Sequence, residues 1–126
     1  MVKEIRQGDV YWLDFGPSTG SNPAGMHPCV VVQGDSFNRS RIATTVVCLI
    51  TSNMDRATAP GNVALKQGDG HLPKPSVVNV SQITTVDKLD LEQRIGRLPS
   101  ETLGAVLAGV QLVLRSENPS LPSKLQ

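Results

Sequence analysis

The chain has 126 residues, of which 39% are hydrophobic, 18% charged and 3% aromatic, and its twelve Lys and Arg nearly balance eleven Asp and Glu for a formal net charge of +1. One domain with a core of Val, Ile, Leu and Ala fits these values; two domains would each be too small to bury an adequate core, and a disordered chain would carry fewer apolar residues. A charge so close to zero excludes a uniformly basic coat, so any nucleic-acid site has to be local.

Met1 to Gln7 mixes Lys3, Glu4 and Arg6 without an apolar signal core, and the expected compartment is cytoplasmic. The longest apolar runs, such as Val46 to Ile50, fall far short of the roughly 20 residues of a membrane-spanning helix, so no membrane partner is expected. From Asp9 to Phe15 the chain alternates with apolar groups on both faces: Val10 and Trp12 on one side, Tyr11, Leu13 and Phe15 on the other. This predicts a strand. Gly16 to Met26 collects Gly, Pro, Ser and Asn into a loop longer than the roughly 2–5 residues a hairpin connection needs, which makes it a candidate binding element. Cys29 to Gln33 is a continuous apolar run and reads as a central strand. Gly34 to Arg41 is polar with room for one helical turn, and Thr44 to Thr51 is a β-branched strand.

Loops are expected over Ser52–Gly61 and Gln67–Pro75, with a short strand, Asn62–Lys66, between them. Ser76–Val80, Thr84–Val86 and, more weakly, Gln93–Leu98 have strand character. Ser100 is the expected N-cap of a C-terminal helix with Glu101 in its first turn, where a negative charge suits the helix dipole. Leu103, Val106, Leu107, Val110, Val113 and Leu114 then form one apolar stripe for packing on the sheet. Residues 1–115 form the expected domain, and residues 116–126, with Pro119 and Pro122, a disordered tail. Several short strands followed by one helix describe a small twisted β-barrel or sheet with a helical cover.

The chemistry available is narrow. His27 and His71 are the only histidines, Cys29 and Cys48 lie apart in apolar stretches, and no zinc spacing is present, so buried inert thiols and no metal or other cofactor are expected. Asp9, Asp14 and Asp35 could meet around magnesium, although surface carboxylates at strand ends are the commoner arrangement. No phosphate-binding GxxxxGK[ST] loop and no GxSxG nucleophile elbow occurs. What is left is polar groups at strand ends: Ser21 and Asn22 in the first loop, His27 at its exit, Thr51, Ser52 and Asn53 after the third strand, and Asn79, Ser81 and Gln82 after the fifth. Donors gathered around one imidazole can bind a phosphodiester and move a proton, while each residue taken alone is as well explained by a turn or cap.

Five segments in order resemble the MazF/PemK family of toxin endoribonucleases over roughly residues 7 to 115. Gly8-Asp9-Val10-Tyr11-Trp12-Leu13-Asp14-Phe15 is similar to the opening strand, and Pro17 with Gly20-Ser21 to the first loop. Gly25 to Gln33, followed by Asp35 and Asn38, resembles the "GxRPxxVxxxDxxN" second strand, and Thr51-Ser52 the "TS" closing the third. Ser76 to Asn79, Gln82-Ile83, Thr85 to Lys88 and Ile95 to Leu98 resemble the "SxV…QIxTxDKxxL…xxIGxL" region.

The resemblance implies a mainly β (α+β) fold, a small SH3-like β-barrel of the CcdB/PemK type with a C-terminal helix. It also implies a homodimer that holds single-stranded RNA across its interface, and a cognate antitoxin protein that occupies the same groove and binds DNA together with the toxin. The activity implied is metal-independent cleavage of RNA to 2′,3′-cyclic phosphate and 5′-hydroxyl ends, with no cofactor. By position, His27 and Thr51 are the implied catalytic residues, with Ser21, Asn22, Ser52, Asn53, Ser81 and Gln82 implied in RNA binding. Two departures stand out. His27 replaces an Arg whose permanent charge and forked donors suit a phosphate, and the first loop lacks the Glu-Gln pair that many members carry after Ser21. A non-catalytic RNA-binding protein, or a toxin acting on a protein target through the same scaffold, is the alternative reading.

Overall fold

The structure, a computed structural model, describes residues 4–17, 20 and 24–117. Asp9–Asp14 forms β1, Met26–Val31 β2, Asp35–Asn38 the single-turn helix α1, Thr44–Thr51 β3, Val63–Leu65 β4, Ser76–Asp87 β5, Gln93–Arg97 β6 and Ser100–Leu114 the helix α2. The strands make one antiparallel sheet in the order β4-β5-β3-β2-β1-β6, curled into a half-barrel. No helix among the described residues is long and apolar enough to cross a membrane.

Alternation along β1 is as expected, and it separates two cores. Val10 joins Val30, Cys48, Ile50, Val78 and Val80 on the face covered by α2 through Val106, with Leu103, Leu107 and Val110 beside it. Tyr11 and Leu13 join Cys29, Val31 and Val47 on the other face, closed by Ile5 and Leu91, with Phe15 against them. The two cysteines therefore belong to opposite faces of the sheet. Both are buried, and burial pushes each thiol up to about 12, which leaves neither as a thiolate nucleophile near neutrality.

Four expectations are corrected. β2 begins at Met26 rather than Cys29 and ends at Val31, because His27 and Pro28 pair with Leu13 and Trp12 of β1. The two segments expected around Ser76–Val80 and Thr84–Val86 are one strand, β5. Its pairing with β3 jumps from Ile83 opposite Cys48 to Asn79 opposite Leu49, so Val80, Ser81 and Gln82 bulge out. The bulge is held because Val80 N donates to Asn62 Oδ1 at 3.0 Å and Asn62 Nδ2 donates to Arg56 O at 2.9 Å. Pro99, not Ser100, is the residue before the first turn of α2, and no side chain caps it. Finally, the apolar stripe of α2 stops short: Val106 and Gly109 are buried, whereas Leu112, Val113 and Leu114 are exposed beyond the sheet. The helix approaches so closely at Gly109 that a Cβ there would collide with Gly61 O, which is why glycine stands mid-helix despite its cost to helicity. The tail from residue 118 onward lies outside the described residues.

The loops expected at 52–61 and 67–75 contain short 3₁₀ turns, Met54–Thr58 and Asp69–His71, and a third turn, Lys88–Asp90, follows β5. The connection between β2 and β3 is a polar network. Buried Asn38 accepts from Gln33 Nε2 at 2.9 Å and Thr45 Oγ1 at 2.8 Å, and its Nδ2 donates to Gln33 O at 2.9 Å and Asp35 Oδ1 at 3.3 Å. Lys88 Nζ donates to Asn38 O at 2.9 Å, tying the end of β5 to this turn. Asp35 Oδ1 also accepts from Gln7 N at 2.7 Å, and that backbone hydrogen bond is the main reason its carboxyl titrates below the usual carboxylate range.

A depressed native pKa stabilises the fold above the unfolded-state value of about 3.9, and that contribution is lost as the pH falls through the lower native value. Asp35→Asn is therefore expected to be less stable than the unaltered chain at pH 7, with the gap closing below about pH 4. Urea unfolding across that range checks it, and a gap independent of pH would contradict the role of the charge.

Candidate active site

The β2–β3 ladder runs through Val31, Val30 and Cys29 opposite Val47, Cys48 and Leu49, and stops there. The next residue of β2 is Pro28, which has no N–H to continue a ladder. The two strands keep their other neighbours, β2 pairing with β1 as far as Met26 and β3 with β5 as far as Thr51, so a gap opens between them. A cleft of about 210 Å³ lies here, lined by Trp12, Met26, His27, Pro28, Ile50 and Ser52, and by Leu72, Pro73, Lys74 and Ser76 from the segment entering β5. Ser76 is buried and its Oγ donates to Lys74 O at 3.0 Å, which shapes the turn that carries Lys74.

His27 is half-buried at this cleft. Its Nε2 lies 2.8 Å from Ala24 O, and its ring meets Phe15 edge-on with centroids 5.9 Å apart and planes at 73°. Because a carbonyl can only accept, Nε2 carries a proton in this arrangement, and Nδ1 is the nitrogen left to take up or release the second one. The first loop thus holds the imidazole through one backbone carbonyl and one aromatic edge.

Thr51 does not line the cleft, although its neighbours Ile50 and Ser52 do, as strand alternation requires. It shares the face of Val47 and Leu49. His27 shares the face of Cys29 and Val31, and continuing the β2–β3 register two residues sets His27 level with Thr51 on that common face. Thr51 Oγ1 accepts from Asn53 N at 3.1 Å, an arrangement that orients the hydroxyl and leaves its hydrogen for an outside acceptor.

The other candidates are spread more widely. Ser52 is exposed at the cleft. Asn53 Oδ1 is engaged with Asp55 N at 3.1 Å, capping the turn that follows. Ser81 and Gln82 sit in the β5 bulge away from the cleft, and Ser81 Oγ donates to Asn79 Oδ1 at 3.0 Å. Ser21 and Asn22 lie outside the described residues. Trp12 and Ser76 fall in the opening-strand and "SxV" segments without being expected site residues, and Lys74 falls in none of the segments. The only sequence signals for them are that Trp12 is the single tryptophan and that Lys74 is a lone cation between two prolines.

The carboxylates weighed for a cation are held by other partners. Asp9 is buried between Arg94 Nε at 3.3 Å and Arg97 Nη1 at 3.2 Å, and its Oδ2 accepts from Arg6 N at 3.1 Å. Asp35 belongs to the Asn38 network, and Asp14 Oδ1 accepts from Gly16 N at 2.8 Å. The described polar side chains around the cleft are one imidazole, one ammonium, hydroxyls and the Trp12 indole, with no carboxylate among them, so an anion meets no like charge there.

A sequence profile of the PemK-like, MazF-like toxins of type II toxin-antitoxin systems matches residues 6–114. Endoribonuclease MazF2 of Mycobacterium bovis and endoribonuclease MazF6 of Mycobacterium tuberculosis strain H37Rv are each 44% identical over 110 residues, which is 87% of this chain and 96% of theirs. Among solved structures, MazF of Deinococcus radiodurans superposes with a TM-score of 0.73 at 22% identity, covering 90% of this chain and 98% of that one. A mycobacterial endoribonuclease solved in complex with its cognate antitoxin superposes with a TM-score of 0.69 at 23% identity, covering 90% and 95%.

Proposed function

The chain belongs to the PemK-like, MazF-like toxins of type II toxin-antitoxin systems and is an endoribonuclease, and we propose that it cleaves single-stranded RNA without a metal ion, leaving 2′,3′-cyclic phosphate and 5′-hydroxyl ends. The ribose 2′-oxygen attacks the adjacent phosphorus and gives its proton to solvent. The P–O5′ bond breaks, and the departing 5′-oxygen takes a proton from the Nδ1–H of cationic His27. The Thr51 hydroxyl donates to a non-bridging oxygen, where negative charge builds up in the transition state. The observation that supports this reading is the β2–β3 register, which ends at Cys29 opposite Leu49 and, continued two residues, brings His27 level with Thr51 where the two strands separate. The Lys74 ammonium and the lack of any described carboxylate around the cleft support phosphate binding by the protein's own groups.

Ser52, Asn53, Ser81 and Gln82, with Ser21 and Asn22 of the first loop, are proposed to contact the RNA strand on either side of the scissile phosphate. The test is incubation of the purified protein with a long single-stranded RNA in excess EDTA. Discrete fragments are expected, and intact RNA in EDTA with cleavage restored by magnesium would overturn the metal-independent reading.

Two partners complete the proposal: a second copy of the chain and an antitoxin that blocks the RNA site in the cytoplasm. The exposed Leu112, Val113 and Leu114 at the end of α2 support association, since contiguous exposed apolar residues are characteristic of interfaces. Sedimentation at micromolar concentration is expected to give twice the 13.5 kDa chain mass, and a monomer would count against the dimer.

A further inference from the structure

We infer that the cleft opened between β2 and β3 is a subsite for one unstacked RNA base bearing a ring carbonyl, stacked on Trp12 and held at its edge by Lys74. The inference rests on the endoribonuclease reading and adds a specificity determinant to it.

Size is the first argument. At about 210 Å³ the cleft is smaller than the roughly 300 Å³ at which pockets for drug-sized ligands begin, and it suits a single flat base rather than a longer stretch of strand. Location is the second. Met26 to Pro28 on one wall and Ile50 with Ser52 on the other are the chain neighbours of His27 and Thr51, so a base in the cleft belongs to a nucleotide next to the phosphate they act on. The walls are apolar and one of them is aromatic. Tyr11 is buried in the opposite core and Phe15 is against His27, which leaves Trp12 as the aromatic surface lining the cleft. Every base has a π-face, so stacking on Trp12 supplies affinity but not selection.

Selection comes from the edge. The Lys74 ammonium has three donors and no acceptor, and no described carboxylate lines the cleft. Uracil, cytosine and guanine present a carbonyl oxygen to such a donor; adenine offers only ring nitrogens, weaker acceptors than a carbonyl oxygen, and two of them lie beside an amino group that disfavours a nearby cation. The cleft is therefore expected to favour carbonyl-bearing bases over adenine.

Trp12 is the only tryptophan, so its fluorescence reports occupancy directly and without cleavage. The unaltered protein is titrated with 2′-O-methyl oligouridylate and 2′-O-methyl oligoadenylate, neither of which can undergo attack by a 2′-hydroxyl. Oligouridylate is expected to quench Trp12 at concentrations about tenfold or more below those of oligoadenylate, and Lys74→Met to erase most of that difference. Lys74 is exposed, so its replacement leaves the core intact. Three results overturn the assignment: no quenching by either RNA, equal quenching by both, or a Lys74→Met variant weakened equally toward both, which is the signature of a phosphate contact. Quenching with the expected preference in a protein that fails to cut unmodified RNA would uphold the subsite and sink the cleavage reading instead.

Discussion

Replacing His27 by alanine is expected to slow cleavage of saturating RNA at pH 6 by about 100-fold or more, the scale of a lost general acid. Nε2 lies 2.8 Å from Ala24 O, so the proton proposed to pass to the leaving 5′-oxygen is the one on Nδ1. Protonation of Nδ1 makes the active form, and the rate of the unaltered protein is expected to rise as the pH falls from 8 towards 6. His27→Arg should flatten that dependence, because guanidinium stays charged throughout the range. The Phe15 edge and the Ala24 carbonyl set a geometry for imidazole that arginine does not share, so a flat profile at a reduced rate also agrees with the account. An alanine variant cleaving as fast as the unaltered protein at every pH would remove His27 from the chemistry.

Thr51→Ala is expected to lower the cleavage rate by about 100-fold to 1,000-fold, as loss of one preorganised donor to a developing oxyanion does, while Thr51→Ser retains most of the activity. Alanine removes two things at once: the hydroxyl hydrogen offered to phosphate and the oxygen that accepts from Asn53 N. Serine restores both. To separate catalysis from support of the turn, the denaturation midpoints of the three proteins are compared. A rate loss in the alanine variant much larger than its stability loss is expected. Equal activity in the alanine variant and the unaltered chain would contradict the role.

Where the chain alternates cleanly, sequence and structure agree. β1 separates Val10 from Tyr11 and Leu13 onto two cores, and β3 runs from Thr44 to Thr51 as its β-branched composition predicts. Agreement fails where a strand departs from ideal pairing. The Gly, Pro, Ser and Asn loop is expected to run to Met26 and the apolar strand to start at Cys29, yet Met26 to Pro28 pairs with β1 while breaking from β3, and this same departure creates the cleft. Ser81 and Gln82 interrupt the apolar pattern of β5, but an amide from the neighbouring loop, Asn62, satisfies the bulge and the strand continues. The stripe on α2 extends in sequence to Leu114, whereas the surface it covers ends at Val110. Periodicity records which residues are apolar, not how far the opposing face reaches.

The site divides in the same way. His27 near the start of β2, Thr51 at the end of β3 and Ser52 just after it can be located from sequence, since each sits at a strand terminus. The lining contributed by Trp12 and by Leu72, Lys74 and Ser76 comes from two separate parts of the chain and is assembled only by folding. Asp35 and Asn38, which match the "DxxN" positions, turn out to brace the turn between β2 and β3 rather than meet the cleft.

The chemistry of the cut ends tests the central claim most directly. RNA cleaved by the purified protein in EDTA is expected to yield downstream fragments that accept a labelled phosphate from polynucleotide kinase without prior phosphatase treatment, as a 5′-hydroxyl does. The upstream fragments should carry a 2′,3′-cyclic phosphate, 18 mass units lighter than the opened monophosphate by about one water, the signature of attack by the neighbouring 2′-oxygen. Fragments bearing 5′-phosphate and 3′-hydroxyl ends would mean that water is the nucleophile, and would contradict the roles assigned to His27 and Thr51.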